Sequence, residues 1–202
     1  AGLQALATAK RLGAMVFAAD IRPEAAEQAK SLGAKIVDTL VPQDMAIGKG
    51  GYALALPDEW LEKERAAIRE TVIKSDIIVL SALVPGKIAP ILVTEDMVKE
   101  MKSGSVIVDI AVDQGGNCEA TDPGHTCVKH GVTIIGTKNI PGYVPTSSTW
   151  MFAHNIYNLV SYLVKDGKIR IDRNDEIVAS SLVTIDGKLV HAGALEAMAA
   201  AK

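Results

Sequence analysis

Gly2 stands at the head of an alanine-rich apolar stretch that ends at Gly13, and Asp20 follows it by 18 residues at the end of a short β-rich run, Ala14–Asp20. No other feature constrains the fold as strongly. In a parallel α/β unit, glycine at a helix start lets backbone N–H groups approach a pyrophosphate, and an acid ending the next strand takes the adenosine ribose hydroxyls. Ala1 and Gly2 read as the end of such a fingerprint, and a strand ending in Gly-x-Gly-x is expected upstream of Ala1. The pattern points to a nicotinamide-cofactor protein. A carboxylate at position 20 disfavours a 2′-phosphate, so NAD is expected rather than NADP. The alternative role for Asp20 is as N-cap of a helix over Arg22–Lys30.

The 202 residues, 49% of them hydrophobic, allow one substantial core, or one core plus a small appendage. A net charge of −3, with Lys and Arg spread along the chain, leaves no basic stripe, so nucleic acid is not expected as a partner. Cys118 and Cys127 lack metal-site spacing and read as free thiols in a reducing compartment; no metal site is expected. No apolar run approaches the roughly 18 residues needed to cross a bilayer, and the first residues have no signal-peptide character, so a soluble chain is expected.

Strand, helix and strand are expected at 14–19, 23–32 and 34–38. Further strands are expected at Asp76–Ser81, Ser105–Ile110 and Val132–Ile135, alternating with helices near 60–74 and 94–102. Apolar strands without period-two alternation imply a parallel sheet covered on both faces. The expected fold class is therefore α/β, a doubly wound parallel sheet truncated at its first strand. Pro42–Pro57, centred on Gly48–Tyr52, is too long for an ordinary connection and reads as a functional lid. Beyond Pro145 comes an amphipathic helix around Trp150–Lys165, with Ser147–Thr149 as its N-cap, then a hairpin at Thr184–Val190 turning on Asp186-Gly187. The expected division is 1–144 and 145–202, the latter returning to pack on an N-terminal portion outside this sequence. The Ala-rich end, 197–202, reads as a frayed helix or a linker.

Five stretches in order, Ala1–Gly13, Ala19–Pro23, Gly50–Tyr52, Ser81–Lys87 and Val108–Cys118, make the chain resemble the NAD(H)-binding component of proton-translocating nicotinamide nucleotide transhydrogenase. The likeness runs through the tail, Val183–His191. The same architecture is shared with alanine dehydrogenase, toward which Asp113–Gly116, Asn139–Gly142 and Pro145–Thr149 lean. The resemblance implies a two-domain component with a discontinuous first domain, assembled as a homodimer. It implies NAD(H) as cofactor, NADP(H) held by a separate partner component, and a membrane-spanning component that couples hydride transfer to proton movement. It places the chain in the cytoplasm, peripheral to the inner membrane through its partner subunits. Direct passage of hydride between two nicotinamide rings needs positioning and water exclusion rather than a general acid, and no clear acid–base pair is present. The alternatives are NAD-dependent oxidative deamination of alanine and a non-catalytic NAD-binding protein.

Candidate cofactor-binding residues follow. Ala1 and Gly2 face phosphate, Asp20 takes the ribose, and Ile21 and Arg22 line the adenosine by resemblance. Gly51 and Tyr52 belong to the lid that, by resemblance, closes over bound nucleotide; Gly50 shares it. Ala82 and Leu83 end an apolar strand at the carboxyl edge of the sheet, where ligands of doubly wound folds bind, and Lys87 nearby is read as solvated, with a phosphate contact as the alternative. Gln114–Asn117 is expected as a glycine-rich loop beside the nicotinamide position, with Asn139 and Thr137 near its carboxamide. Asp113 is the one catalytic candidate: in alanine dehydrogenase a matching aspartate works with a lysine and a histidine of the N-terminal domain. A turn residue satisfying backbone is the competing reading.

Overall fold

The computed structural model describes residues 1–48 and 52–200 and divides into two units, Ala1–Ile140 and Pro141–Lys202. The first opens with α1 (Gly2–Arg11), which runs out at Leu12 and turns at Gly13 (φ +90°), as an Ala-rich helix stopped by glycine should. β1 (Phe17–Ala18), α2 (Pro23–Ser31) and β2 (Lys35–Ile36) follow as a parallel crossover in which Phe17 pairs with Lys35 and Ala18 with Ile36. Pro23, with its preset φ, suits the first turn of α2, where Glu24 and C-terminal Lys30 also agree with the helix dipole. Val16, Ala29 and Ala34 form a small core here, packed against Leu3, Leu6, Ala9 and Ala18.

After α3 (Gln43–Ala46) and α4 (Asp58–Lys74) come β3 (Ile77–Leu80), α5 (Glu95–Glu100), β4 (Val106–Asp109), β5 (Thr126–Lys129) and β6 (Val132–Ile135). They build a sheet of order β3-β4-β6-β5, with β3, β4 and β6 parallel. Thr94 caps α5 by accepting from the Met97 N–H. The main core gathers Ile68 and Val72 of α4, Leu80, Val93, Met97, Val98 and Met101, with Ile107, Val132 and Ile134 fully buried at the middle of the sheet.

The doubly wound α/β class read from the sequence is what the structure shows, with two corrections. β5, not expected as a strand, runs antiparallel to β6 and forms the sheet's edge, so the sheet is mixed. Nor is every strand covered on both faces: Phe17 of β1, Ile36 of β2, and Ile77 and Val79 of β3 are exposed, and β1, β2 and β3 each have a single hydrogen-bonded neighbour. The expected strands at 14–19 and 34–38 each shorten to two paired residues.

The second unit holds α6 (Pro145–Leu163), a hairpin of β7 (Val164–Lys165) and β8 (Lys168–Ile169), α7 (Glu176–Ser181), a second hairpin of β9 (Thr184–Ile185) and β10 (Lys188–Leu189), and α8 (Ala192–Ala200). Asp186 and Gly187 both have positive φ, the primed turn expected at that site. Ser147–Thr149 is not the N-cap of α6. Val144 holds that position with Pro145 as the first helical residue, while the Ser148 hydroxyl, already inside the helix, donates to Pro141 O at 2.7 Å. Among the described residues of this unit only Val178 is buried. Trp150, Met151, Phe152, Ile156, Tyr157 and Val160 of α6 all face solvent.

Two glycines separate backbone strain from packing in the first unit. Gly104 (φ +89°) has open space where a Cβ would be, whereas a Cβ on Gly116 (φ +84°) would lie 2.8 Å from Asp109 Oδ2. Gly104→Ala is expected to cost roughly 1–2 kcal/mol for its left-handed backbone. Gly116→Ala should cost at least about 1 kcal/mol more by overpacking, as read by urea denaturation.

Candidate functional site

The carboxyl ends of β1 and β3 open on the same cavity, of about 410 Å³, walled by Arg22, Tyr52, Ala53, the Leu83–Lys87 turn and Gln114. This is where ligands bind in open α/β sheets, since loops leaving the carboxyl ends of parallel strands diverge there. The lining is largely apolar, with the cationic Arg22 and Lys87 at its polar side. Lys87 therefore faces the cavity as well as solvent.

Asp20 is neither free nor an N-cap. Its Oδ1 accepts from the Arg22 N–H (2.9 Å) and Nε (3.0 Å), and its Oδ2 pairs with the Arg22 guanidinium at 2.8 Å. The cap position of α2 is Arg22 itself, without a side-chain cap bond. The Asp20 hydrogen bond holds the guanidinium above its ordinary pKa range. A second cavity, of about 250 Å³, is lined by Asp20, Ile21, Pro23, Val37, Asp38 and Thr39 among others, so the ion pair stands between two hollows.

At the head of α1, Ala1 and Gly2 carry no side-chain cap, which leaves first-turn N–H groups available to an anion. A Cβ on Gly2 would come within 3.2 Å of the Ser81 hydroxyl, so the helix start abuts the end of β3 beside Ala82. Tyr52 is exposed at the mouth of the first cavity. Its segment is not a structureless lid: Ile47 and Ala53 form an antiparallel bridge, reinforced by Gly48 N–H to Tyr52 O and Leu54 N–H to Ala46 O. Gly50 and Gly51 lie outside the described residues.

Asp113 and Asn139 meet: the Asn139 N–H, on a residue with φ +50°, donates to Asp113 Oδ2 at 3.0 Å. Both are exposed. Of the expected Gln114–Asn117 loop only Gln114 reaches the cavity. Asn117 is fully buried, against the expectation that it lies beside a ligand. Its Oδ1 accepts from Ala82 N–H (2.9 Å), and its Nδ2 donates to Ala82 O (2.9 Å) and Pro90 O (2.8 Å). It is aimed there by Asp109, 1% exposed, whose Oδ2 accepts from Asn117 N–H (2.9 Å), Cys118 N–H (3.1 Å) and the Thr121 hydroxyl (2.9 Å). Burial raises the pKa of the Cys118 thiol.

A family model described as alanine dehydrogenase/PNT, C-terminal domain, matches residues 1–192. The chain is 46% identical over 195 residues to an NAD(P) transhydrogenase subunit alpha chain of Rhodospirillum rubrum, covering 95% of this chain and 50% of that protein. It is 34% identical over 203 residues to alanine dehydrogenase of Staphylococcus saprophyticus, covering 98% of this chain and 49% of the relative. Among solved structures, the transhydrogenase from Sinorhizobium meliloti superposes with a TM-score of 0.74 at 38% identity, over 94% of this chain and 49% of that one. An L-alanine dehydrogenase does so at 0.63 and 30%, over 93% and 53%. The chain thus spans about half the length of the curated relatives it matches. No described helix is long and apolar enough to cross a membrane.

Glu64 of α4, 6% exposed, is a residue that sequence reading passed over, although its four-residue spacing to Ile68 and Val72 puts it on the buried face. Burial, with the Asp20 charge adding to it, pushes its pKa up to about 7 against the opposing influence of Arg65. The folded protein therefore keeps a proton that the unfolded chain has released above pH 4.5. Burying Glu64 carries no ionisation cost below that pH and lowers stability progressively until about pH 7. Between pH 5 and 8 the wild type should lose about 2 kcal/mol more of unfolding free energy than Glu64→Gln, read by urea titration at each pH.

Proposed function

Because this chain belongs to the alanine dehydrogenase/PNT C-terminal domain family, we propose that it is the NAD(H)-binding portion of a proton-translocating nicotinamide nucleotide transhydrogenase alpha subunit. The observation that carries this reading is the single cavity in which Arg22, Tyr52 and Leu83 come together at the carboxyl ends of two parallel strands. The residues fit a dinucleotide. Uncapped N–H groups at Ala1–Gly2 suit a pyrophosphate, Asp20 suits ribose hydroxyls, and Tyr52 with Leu83–Pro85 offers apolar surface to a flat ring. Bound NAD(H) supplies a hydride for NADP⁺ held by a partner component. This chain's own role is to bind, orient and exclude water, with Tyr52 covering the nucleotide and Asn139 toward the carboxamide.

The remainder of the reading concerns assembly. The solvent-facing apolar residues of α6, and a unit with one buried residue among those described, support a role for residues 145–202 as the return segment of a discontinuous first domain. The open sides of β1 and β3 would take a further strand from the same longer chain. The assembled component is a homodimer, cytoplasmic, and peripheral to the inner membrane through NADP(H)-binding and membrane-spanning partners. A second reading, alanine dehydrogenase, is supported by the 34% identity to that relative; the Asp113 carboxylate, its Oδ2 accepting from Asn139 N–H, fits a turn residue satisfying backbone as well as that reading's catalytic candidate.

The deciding experiment mixes the full-length component with its NADP-binding partner and follows hydride transfer from NADH to an NADP⁺ analogue. Absence of transfer, with reductive amination of pyruvate instead, would establish the second reading. Calorimetric titration of the full-length Asp20→Asn variant should show NADH bound about tenfold more weakly, equivalent to roughly 1.4 kcal/mol, with reduced preference for NADH over NADPH. The 202-residue chain alone should bind a hydrophobic dye strongly and the longer component weakly.

A further inference from the structure

The segment Leu83–Ile88 bulges from the sheet between two pinned ends, and both pins lead to one side chain. At the near end, Asn117 makes a two-bond, peptide-like pairing with Ala82, accepting its N–H and donating to its carbonyl, both at 2.9 Å. At the far end Asn117 Nδ2 donates to Pro90 O at 2.8 Å, and the Asn117 carbonyl accepts from the Leu92 and Val93 N–H groups at 2.8 and 3.0 Å. A bond from Ala89 N–H to Gln114 O, 2.8 Å, completes the seam. Asn117 is itself immobilised, since its N–H and that of Cys118 both donate to the buried Asp109 carboxylate at the end of β4.

We infer that Asn117 is a positioning residue for nucleotide binding: without contacting the ligand, it holds the Leu83–Lys87 wall at the distance from Arg22 and Tyr52 that the cavity requires. The inference rests on the reading of that cavity as the nucleotide site. Two features of the chemistry single out asparagine. The N–H and the C=O of Ala82 must be met at once, which takes one acceptor and one donor on a planar group, and a second amide hydrogen is needed for Pro90. Aspartate has the shape but no donor, and would set oxygen against the Ala82 and Pro90 carbonyls. Serine is small and neutral and can serve only one bond at a time.

The test uses the full-length protein, NADH as the probe and two variants, Asn117→Asp and Asn117→Ser, so that a folding failure of the charged one leaves the other. Amide hydrogen exchange is measured without ligand and NADH affinity by calorimetry. Each folded variant should exchange its Ala82, Lys87 and Ala89 amides, the hydrogen-bonded ones of the segment, about tenfold faster or more, with the β4 and β6 amides unchanged, and bind NADH about tenfold more weakly. In the transhydrogenation assay the loss should appear in KM for NADH rather than in kcat. Unchanged NADH affinity in variants whose loop amides have accelerated would overturn the inference, because the wall would then be loose without consequence. Equal acceleration in β4 and β6 would also overturn it, reducing Asn117 to a general stabiliser. Failure of the wild type to bind NADH is a separate result, and overturns the reading of the cavity itself.

Discussion

One carboxylate organises the ligand side of the first unit. Asp109 ends β4, the strand flanked on both sides by parallel neighbours, and is withdrawn from water with four donors arranged around it: Ala111 N–H on Oδ1, and Asn117 N–H, Cys118 N–H and the Thr121 hydroxyl on Oδ2. A buried charge of this kind is tolerable only when its acceptor sites are filled, and each filled site contributes about 1.5–3 kcal/mol to holding the donor in place. The loop from Ile110 to Cys118 is in effect wound around that charge. Gly116 has to be glycine because the charge passes 2.8 Å from where a side chain would begin. Asn117 faces inward because its own N–H is bound, and through Asn117 the order reaches Ala82, Pro90 and the wall of the main cavity.

Much of this was legible in the residues. The alanine-rich α1 ended by Gly13, Pro23 opening α2, the uninterrupted apolar β3 and the Asp186-Gly187 turn each carry a local signal that tertiary contacts do not override. The acid 18 residues after Gly2 stands, as its spacing implies, just past the carboxyl end of β1. β5 escaped because Thr126–Lys129 is short and largely exposed, although the His130-Gly131 pair, both with positive φ, is the turn that a tight antiparallel return demands. The bridge between Ile47 and Ala53 joins residues too near Gly48 and Gly50 to show a period.

Asn117 and Glu64 were missed for a common reason. Polar residues inside glycine-rich or charged surroundings read as solvated, and only the partners reveal otherwise. For Asn117 those partners lie 35 and 27 residues away in the chain, beyond any local pattern. For Glu64 the spacing to Ile68 and Val72 was present, but Asp58, Glu59, Glu62 and Glu70, with several bases on the same helix, mask it. The pairing of Asp113 with the Asn139 backbone is similarly a product of two strand ends meeting, β4 and β6, rather than of any motif.

The Asp20–Arg22 pair changes what recognition by that carboxylate can mean. Arg22 fills Oδ1 twice and Oδ2 only once, so Oδ2 keeps a lone pair for a sugar hydroxyl without displacing the guanidinium. A hydroxyl arriving there can donate, whereas an anionic group finds only acceptor oxygens and is turned away. The pair is close to neutral as a unit, because the chain carries the carboxylate's counter-ion two residues along.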